Sequence, residues 1–425
     1  MAYPPRWTYR AVLWFHIIFK IMGLSPVSLR DKDPKTSSAI FFGRSNFGIF
    51  YNALLSISLV ASSFVTLPRL HDEAYGSEST VTYTIEMVQS TYGTLMISTI
   101  LLCYIYKWSS LRSICNSLMH LEEQFRFSRE PISIYRTFWI LLMVYVGQTI
   151  MCVGVVVTEE LAFHDGPLGW VVSVLPTAFV ANILFQYFSV ISLMTINFIR
   201  VNEALQSLHR STSIDSKSLN RRRRASVNCS MPQSLRHLRN IYDNLCEASE
   251  EISQFYSFPT LLVVPFVFCS LVFNLYYLLL LLFDDDTYFE LFSFINGVFF
   301  IVYLTYPLGI LTGKITDILD KIERTGIIVY SLLNNAIDEE TLAEVKSHRH
   351  RQLPSKRVLR FFQLRQFALQ LLHRQIKFTT SDYFNLDNAL FQSVVSSVIT
   401  YLVILIQFQV ANKSSIACQC NCTMD

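Results

Sequence analysis

Apolar residues fall into seven long blocks, at 46–68, 84–106, 137–157, 168–194, 257–283, 288–312 and 388–411. Each is long enough to cross a bilayer core, which takes about 20 predominantly apolar residues. A shorter block, 11–22, contains His16 and Lys20 and predicts an interfacial helix. A signal-peptide core behind Arg6 and Arg10 is the alternative. After the fourth span the pattern predicts a helix through 195–210. A polar, basic interruption at 211–232 follows, and the helix resumes at 234–256 into the fifth span. Between spans 6 and 7, residues 356–378 predict an amphipathic helix. Leu359, Phe362, Leu369, Leu372 and Ile376 share its apolar face, while Lys356, Arg360, Arg374 and Lys377 lie on others. Such a helix either lies on lipid headgroups or joins subunits in a cytoplasmic bundle. No internal repeat is visible, which weighs against an inverted-repeat transporter.

Composition sharpens this picture. Of 425 residues, 52% are hydrophobic and 16% charged, against about 25% charged in soluble domains. Mean hydropathy is +0.35. A soluble enzyme, a disordered chain and a disulfide-rich scaffold are excluded. The fold class expected is an all-α membrane protein with seven transmembrane helices and long cytoplasmic helical extensions. All 35 Lys and Arg lie between the spans, and 33 of them fall in alternate connections. The basic side is cytoplasmic, so the N-terminus is expected inside and the C-terminus outside. That is the reverse of G-protein-coupled receptors. The net charge of +3 says nothing about nucleic acid, and none is expected as a partner. The organisation expected is a cytoplasmic segment at 1–45, spans 1–6 at 46–312, cytoplasmic anchor helices at 313–387, span 7 at 388–411 and an extracellular tail at 412–425.

Catalytic chemistry has no foothold. None of the nine histidines lies in a span, and no phosphate loop or dinucleotide fingerprint occurs. The nine cysteines show no zinc spacing, so no cofactor or metal is expected. Cys418, Cys420 and Cys422 sit in the outer tail with the sequon at Asn421, and Asn412 begins another. Arg223, Arg224, Ala225 and Ser226 fit a basophilic kinase site. Polar and aromatic groups instead gather in the outer halves of the spans. Glu86 is the acidic residue well inside one, and an ionisable group at that depth is a functional candidate. With it come Gln89, Tyr92, Gln148, Trp170, Thr177, Asn274, Tyr277 and Asn296. Aromatic walls with a few polar groups suit a small amphiphilic ligand, though helix packing and the interfacial belt draw on the same residues. Span 7 carries one polar stripe of Gln392, Ser396, Thr400 and Gln407, interrupted by Val403 and Ile404. A stripe of this kind is either a close helix contact or a water-lined face closed by a hydrophobic constriction, which needs several copies around an axis.

The segment Thr400-Tyr401-Leu402-Val403-Ile404-Leu405-Ile406-Gln407-Phe408 resembles the Thr-Tyr, five apolar residues, Gln-Phe signature of insect gustatory receptors. Ser381-Asp382-Tyr383-Phe384-Asn385-Leu386-Asp387 is similar to the segment preceding span 7 in that family. The resemblance implies a tastant-gated, non-selective cation channel in the plasma membrane of gustatory sensory neurons. It implies a homotetramer around span 7, alone or with related receptors, joined by a cytoplasmic anchor. Gln407 and Phe408 would lie at the gate, with Tyr401 packed between helices. Sugar-sensing members carry Glu after Thr-Tyr where this chain has Leu402. Bitter or other non-sugar ligands are therefore favoured, with a fructose type as the neighbouring option. The competing class is a metabotropic seven-span receptor signalling through a partner protein.

Overall fold

A computed structural model describes residues 6–31, 40–74, 80–125, 132–164, 169–171, 173–218, 221–283, 291–347 and 355–421. The helices are α1 (Arg6–Ile21), α2 (Asn46–Ala74), α3 (Thr80–Tyr106), α4 (Trp108–Phe125) and α5 (Ile132–Phe163). They continue as α6 (Val174–Ser218), α7 (Arg221–Phe283), α8 (Leu291–Ser347), α9 (Ser355–His373) and α10 (Asn388–Asn421). Two small antiparallel hairpins, β1 (Val27–Asp31) with β2 (Ile40–Arg44) and β3 (Thr379–Thr380) with β4 (Phe384–Asn385), complete the described elements. Seven helices are long and apolar enough to cross a membrane: α2, α3, α5, α6, α7, α8 and α10. The expected all-α, seven-span class is the one observed.

At the centre stands α6, with 89% of its most apolar window buried, packed along α5, α7 and α8. Tyr187 on α6 stacks on Tyr256 of α7 with ring centroids 4.3 Å apart. Tyr104 of α3 donates to Gln186 at 2.6 Å, and the Gln186 amide reaches the Leu24 carbonyl at 2.9 Å. That carbonyl follows the end of α1, where Leu24 N–H bonds Phe19 O and Gly23 N–H bonds Lys20 O. This is the Schellman pattern, and it needs a left-handed residue. Gly23 supplies it at φ 76°, where a Cβ would also meet Leu101 at 2.7 Å. The short N-terminal block is thus a helix seated on the bundle. Phe15 and Phe19 pack against Phe185, while Trp14, Ile17 and Ile21 face outward.

Burial and the Lys20 charge one turn on hold the His16 imidazole at about 4, below its usual range. It stays neutral beside Ser25 Oγ, 3.1 Å away. The unfolded chain takes up this proton near 6.5, the folded one only near 4. Stability should therefore fall as pH drops from about 6.5 towards 4. The melting temperature should drop between pH 7 and pH 5, and His16→Gln should shrink that drop.

Two expectations are corrected. The basic stretch is no long interruption: α6 runs to Ser218 and α7 begins at Arg221, well before 234. Arginine is a strong helix former, and a like-charge pair one turn apart costs only a few tenths of a kcal/mol. The side chains of 211–232, Ser226 among them, lie outside the described residues. The 356–378 helix ends at His373, and its inward face is Leu364, Phe367 and Ala368. Phe362, Leu369 and Leu372 are exposed, Ile376 is buried beyond the helix end, and the Leu359 side chain is not described. Both faces of α9 are apolar, so periodicity could not say which one docks. Hydrogen bonds decide it: Arg239 to Gln366 at 2.5 Å, Gln370 to Asp243 at 2.7 Å, and Arg374 to Asp243 seat α9 on α7.

Candidate ligand compartment and span 7 face

The polar candidates divide between two seams. One seam is formed by α5, α6 and α8: Gln148 lies on α5, Trp170 just before α6, Thr177 on α6 and Asn296 on α8. Gln148 lies two turns below Val155 on the buried face of α5. Thr158 donates to Asn296 at 2.7 Å and joins α5 to α8. Trp170 packs against an apolar cluster of Val155, Val174, Ala181, Phe300 and Tyr303. Thr177 donates to the Ser173 carbonyl at 3.2 Å, and Ser173 Oγ donates to the Glu159 carboxylate. Gln148, Thr177 and Asn296 are at most 5% exposed. Gln148 Oε1, Trp170 Nε1 and Asn182 Oδ1 are buried without a hydrogen-bond partner among the described residues. A buried polar atom left without a partner costs about 1–3 kcal/mol, and Tyr187, Tyr242 and Tyr256 in the aromatic core carry hydroxyls of the same kind.

The second seam joins α3 to α7. Gln89 donates to Ser270 at 3.1 Å, Tyr92 to the Leu262 carbonyl at 2.9 Å, and Asn274 to the Ser270 carbonyl at 2.7 Å. Tyr277 lies beside Phe163 with centroids 6.4 Å apart. Gln89 and Tyr92 join α3 to α7, whereas Asn274 bonds back within α7 and Tyr277 meets α5. Glu86 belongs to α3, and its side chain lies outside the described residues.

The apolar block 137–157 leaves Glu159 just beyond its end. The helix runs on to Phe163, and Glu159 is inside it at 4% exposure. Its seven- and four-residue offsets from Cys152 and Val155 were the available signal. Hydropathy hid it, because two adjacent glutamates read as the end of a span.

The last span is the least enclosed helix of the bundle. Only 11% of its most apolar window is buried, along one edge shared with α7 and α8. The buried edge carries Val394 and Val398, with Leu402 and Leu405 half-buried above them. Gln392, Ser396, Thr400, Val403 and Gln407 point to the opposite side and are exposed. Ile404 is also exposed, at the flank. Tyr401 sets its ring edge-on to Phe268 of α7, centroids 5.6 Å apart. The Phe408 side chain lies outside the described residues, as do Asn412, Cys418, Cys420, Cys422 and Asn421. At the root of α10, Gly309 and Gly313 of α8 face Phe391 and Asn388. This small-xxx-small spacing lets two membrane helices approach closely, and periodicity of span 7 alone could not reveal it.

A buried central helix packed by α3, α5, α7 and α8, with α2 and α10 on the outside of that bundle and the last span largely uncovered, defines a multi-pass helical membrane protein. The sequence profile of the 7tm chemosensory receptor family matches residues 15–412, and the chain belongs to that family. Gustatory receptor 28a of Drosophila melanogaster is 22% identical over 432 aligned residues, covering 92% of this chain and 89% of the relative. Gustatory receptor 28b of the same organism is 29% identical over 247 residues, covering 54% of this chain and about half, 48%, of the relative. The olfactory receptor OR5 from Machilis hrabei shares the fold at a TM-score of 0.61 and 13% identity, over 94% of this chain and 98% of that one. OR5 has also been solved in complex with eugenol, and that structure superposes at a TM-score of 0.57 and 14% identity, with the same coverage.

Proposed function

We propose that the chain is a gustatory receptor that works as a tastant-gated, non-selective cation channel, four copies enclosing a pore lined by α10. The observation that carries this is the direction of the span 7 stripe. Its hydroxyl and amide groups point away from the chain's own helices, on a span, 388–411, that contains no charged residue. Facing lipid, such groups gain nothing; facing three copies of themselves, they line water. Val403, exposed on that same side, supplies the hydrophobic constriction with Ile404 beside it. Gln407 and Phe408 follow at the outer mouth. The division of basic residues, 33 to 2, supports a cytoplasmic N-terminus and an extracellular C-terminus. Family membership supports a plasma-membrane location in sensory neurons.

The ligand compartment is the α5–α6–α8 seam. Its walls are aromatic and aliphatic, and its Trp170 N–H and Gln148 carbonyl are available to a small amphiphilic molecule. Leu402 in place of the sugar-class acid supports a bitter or other non-sugar tastant.

Cells expressing only this chain should pass cation current when a tastant panel is applied. Ligand responses without any current of their own would favour a metabotropic receptor. Among tastants that act, Trp170→Phe removes the indole N–H while keeping an aromatic ring at that position. It should shift half-maximal concentration about three- to tenfold, as one hydrogen bond is worth, with the maximal current kept. Glu86→Gln is the matching trial for span 2. An unchanged concentration dependence for Trp170→Phe and Gln148→Leu, with every active tastant, would move the site elsewhere.

A further inference from the structure

Between α9 and α10 the chain folds a tight hairpin that crossing a membrane does not require. Thr379 pairs with Asn385 and Thr380 with Phe384. Its turn holds Ser381 at φ 49° and Asp382 at φ 61°. This left-handed region is disfavoured for residues with a Cβ and persists only where the surroundings enforce it.

The turn is closed locally by the Tyr383 N–H on the Thr380 carbonyl at 3.0 Å, as hairpin turns allow, and α7 clamps it from outside. Ser253, Ser257 and Thr260 lie four and three residues apart, on one side of that helix. Ser253 Oγ donates to the Lys377 carbonyl at 3.1 Å. Ser257 Oγ accepts the Ser381 backbone N–H and lies 3.1 Å from Ser381 Oγ. Thr260 Oγ1 lies 3.4 Å from the hydroxyl of fully buried Thr380. Directly after the hairpin, Asp387 caps α10 by accepting the Ala389 and Leu390 N–H groups at 3.0 and 3.2 Å. The Asn388 N–H donates to Thr316 of α8 at 3.2 Å. The root of α10 is therefore tied to two helices, while the rest of it is mostly uncovered.

We propose that Ser257 is a positioning residue for the gate: by holding Ser381 in the left-handed turn, it sets the direction in which α10 leaves α7 and so where the polar stripe meets its symmetry mates. The inference rests on the channel reading above. Gln407 stands about 28 Å along the helix from Asn388, at 1.5 Å per residue. A tilt of about 5° at the root thus moves it by about 2.5 Å, the scale of a pore radius. Since α7 is continuous from Arg221 to Phe283, motion in its outer half also reaches the clamp.

The test uses the full-length chain in cells, with tastant-free cation leak as the readout. Ser257→Ala removes the acceptor of the Ser381 N–H and should change the leak about fivefold, the worth of one such bond. Surface expression and oligomer mass should be unchanged. Ser257→Thr keeps the hydroxyl and should stay within about twofold of wild type. Ser381→Gly removes the steric cost of the turn. Added to Ser257→Ala, it should restore the wild-type leak, a rescue that lost packing at Ser257 would not show. In the purified tetramer, amide exchange at Leu386 and Leu390 should quicken in Ser257→Ala and slow again in the double variant.

A wild-type leak in Ser257→Ala overturns the proposal, and so does failure of Ser381→Gly to rescue. Substitution of Val403 separates this from the channel reading. If Val403→Gly changes the leak and Ser257→Ala does not, the clamp alone is wrong. If neither does, the pore assignment fails and takes the clamp with it.

Discussion

Replacing Val403 by glycine or serine should produce a standing cation current without tastant. A ring of valines narrow enough to expel water blocks ions because an ion cannot shed its hydration shell there. Removing the isopropyl groups from four copies widens and wets the ring at once. Every 1.4 kcal/mol taken from the barrier is tenfold in conductance. Four side chains each worth about 1.5 kcal/mol of apolar surface make a rise of well over tenfold the expected scale. Gln407→Ala should act differently. An amide exposed on the stripe replaces part of an ion's water, so conductance or cation preference should change more than the leak. Leu405 is the control, because it is half-buried on the face that packs against α7 and α8. Whole-cell and single-channel recording measure all three. Equal effects at Leu405 and Gln407, or normal evoked currents in Gln407→Ala and Phe408→Ala, would make span 7 a packing helix.

The double substitution Leu369→Asp, Leu372→Asp should dissociate the tetramer in detergent. Both leucines are exposed on α9, at 48% and 60%, beside exposed Phe362 at 51%. Their inward neighbours Leu364 and Phe367 already satisfy the fold of the single chain. The outer row is thus free to bury against another copy, and Ile327 and Tyr330 of α8 add further uncovered apolar surface. Burying a leucine is worth about 1.5–3 kcal/mol, and an aspartate in its place must also be desolvated. Two such changes in each of four copies outweigh the stability of an ordinary assembly. Size-exclusion chromatography with light scattering should show monomer mass. An unchanged tetramer would assign this face to lipid headgroups. The matching change at Leu364 should unfold the anchor instead, which far-UV circular dichroism distinguishes from clean dissociation.

Residues that look alike in sequence separated in three dimensions. Gln89 and Gln148 are both amides in the outer half of a span. One is bonded to Ser270 across the α3–α7 seam, while the other keeps a buried carbonyl without a partner among the described residues. Periodicity along one helix reports which residues share a face, not which face meets which neighbour. Glu159 was misplaced for a related reason: hydropathy ends a span at the first charges, whereas backbone hydrogen bonding carries α5 on to Phe163. The clamp at Ser257 has no trace in local pattern, since its partners lie 124 residues apart.

The number of spans and the all-α class were settled by sequence, because lipid forces every backbone polar group into its own helix and makes apolar length a direct readout. The expected orientation came from charge alone, and the family signature of span 7 from a short run of residues. The three-dimensional packing alone decided that α6 is the buried axis, that α9 docks through Leu364 and Phe367 rather than Leu369 and Leu372, and that the α10 stripe faces away from its own chain. All three depend on which apolar face finds a complementary surface, and that choice is made by side chains far apart in the chain meeting at van der Waals distance.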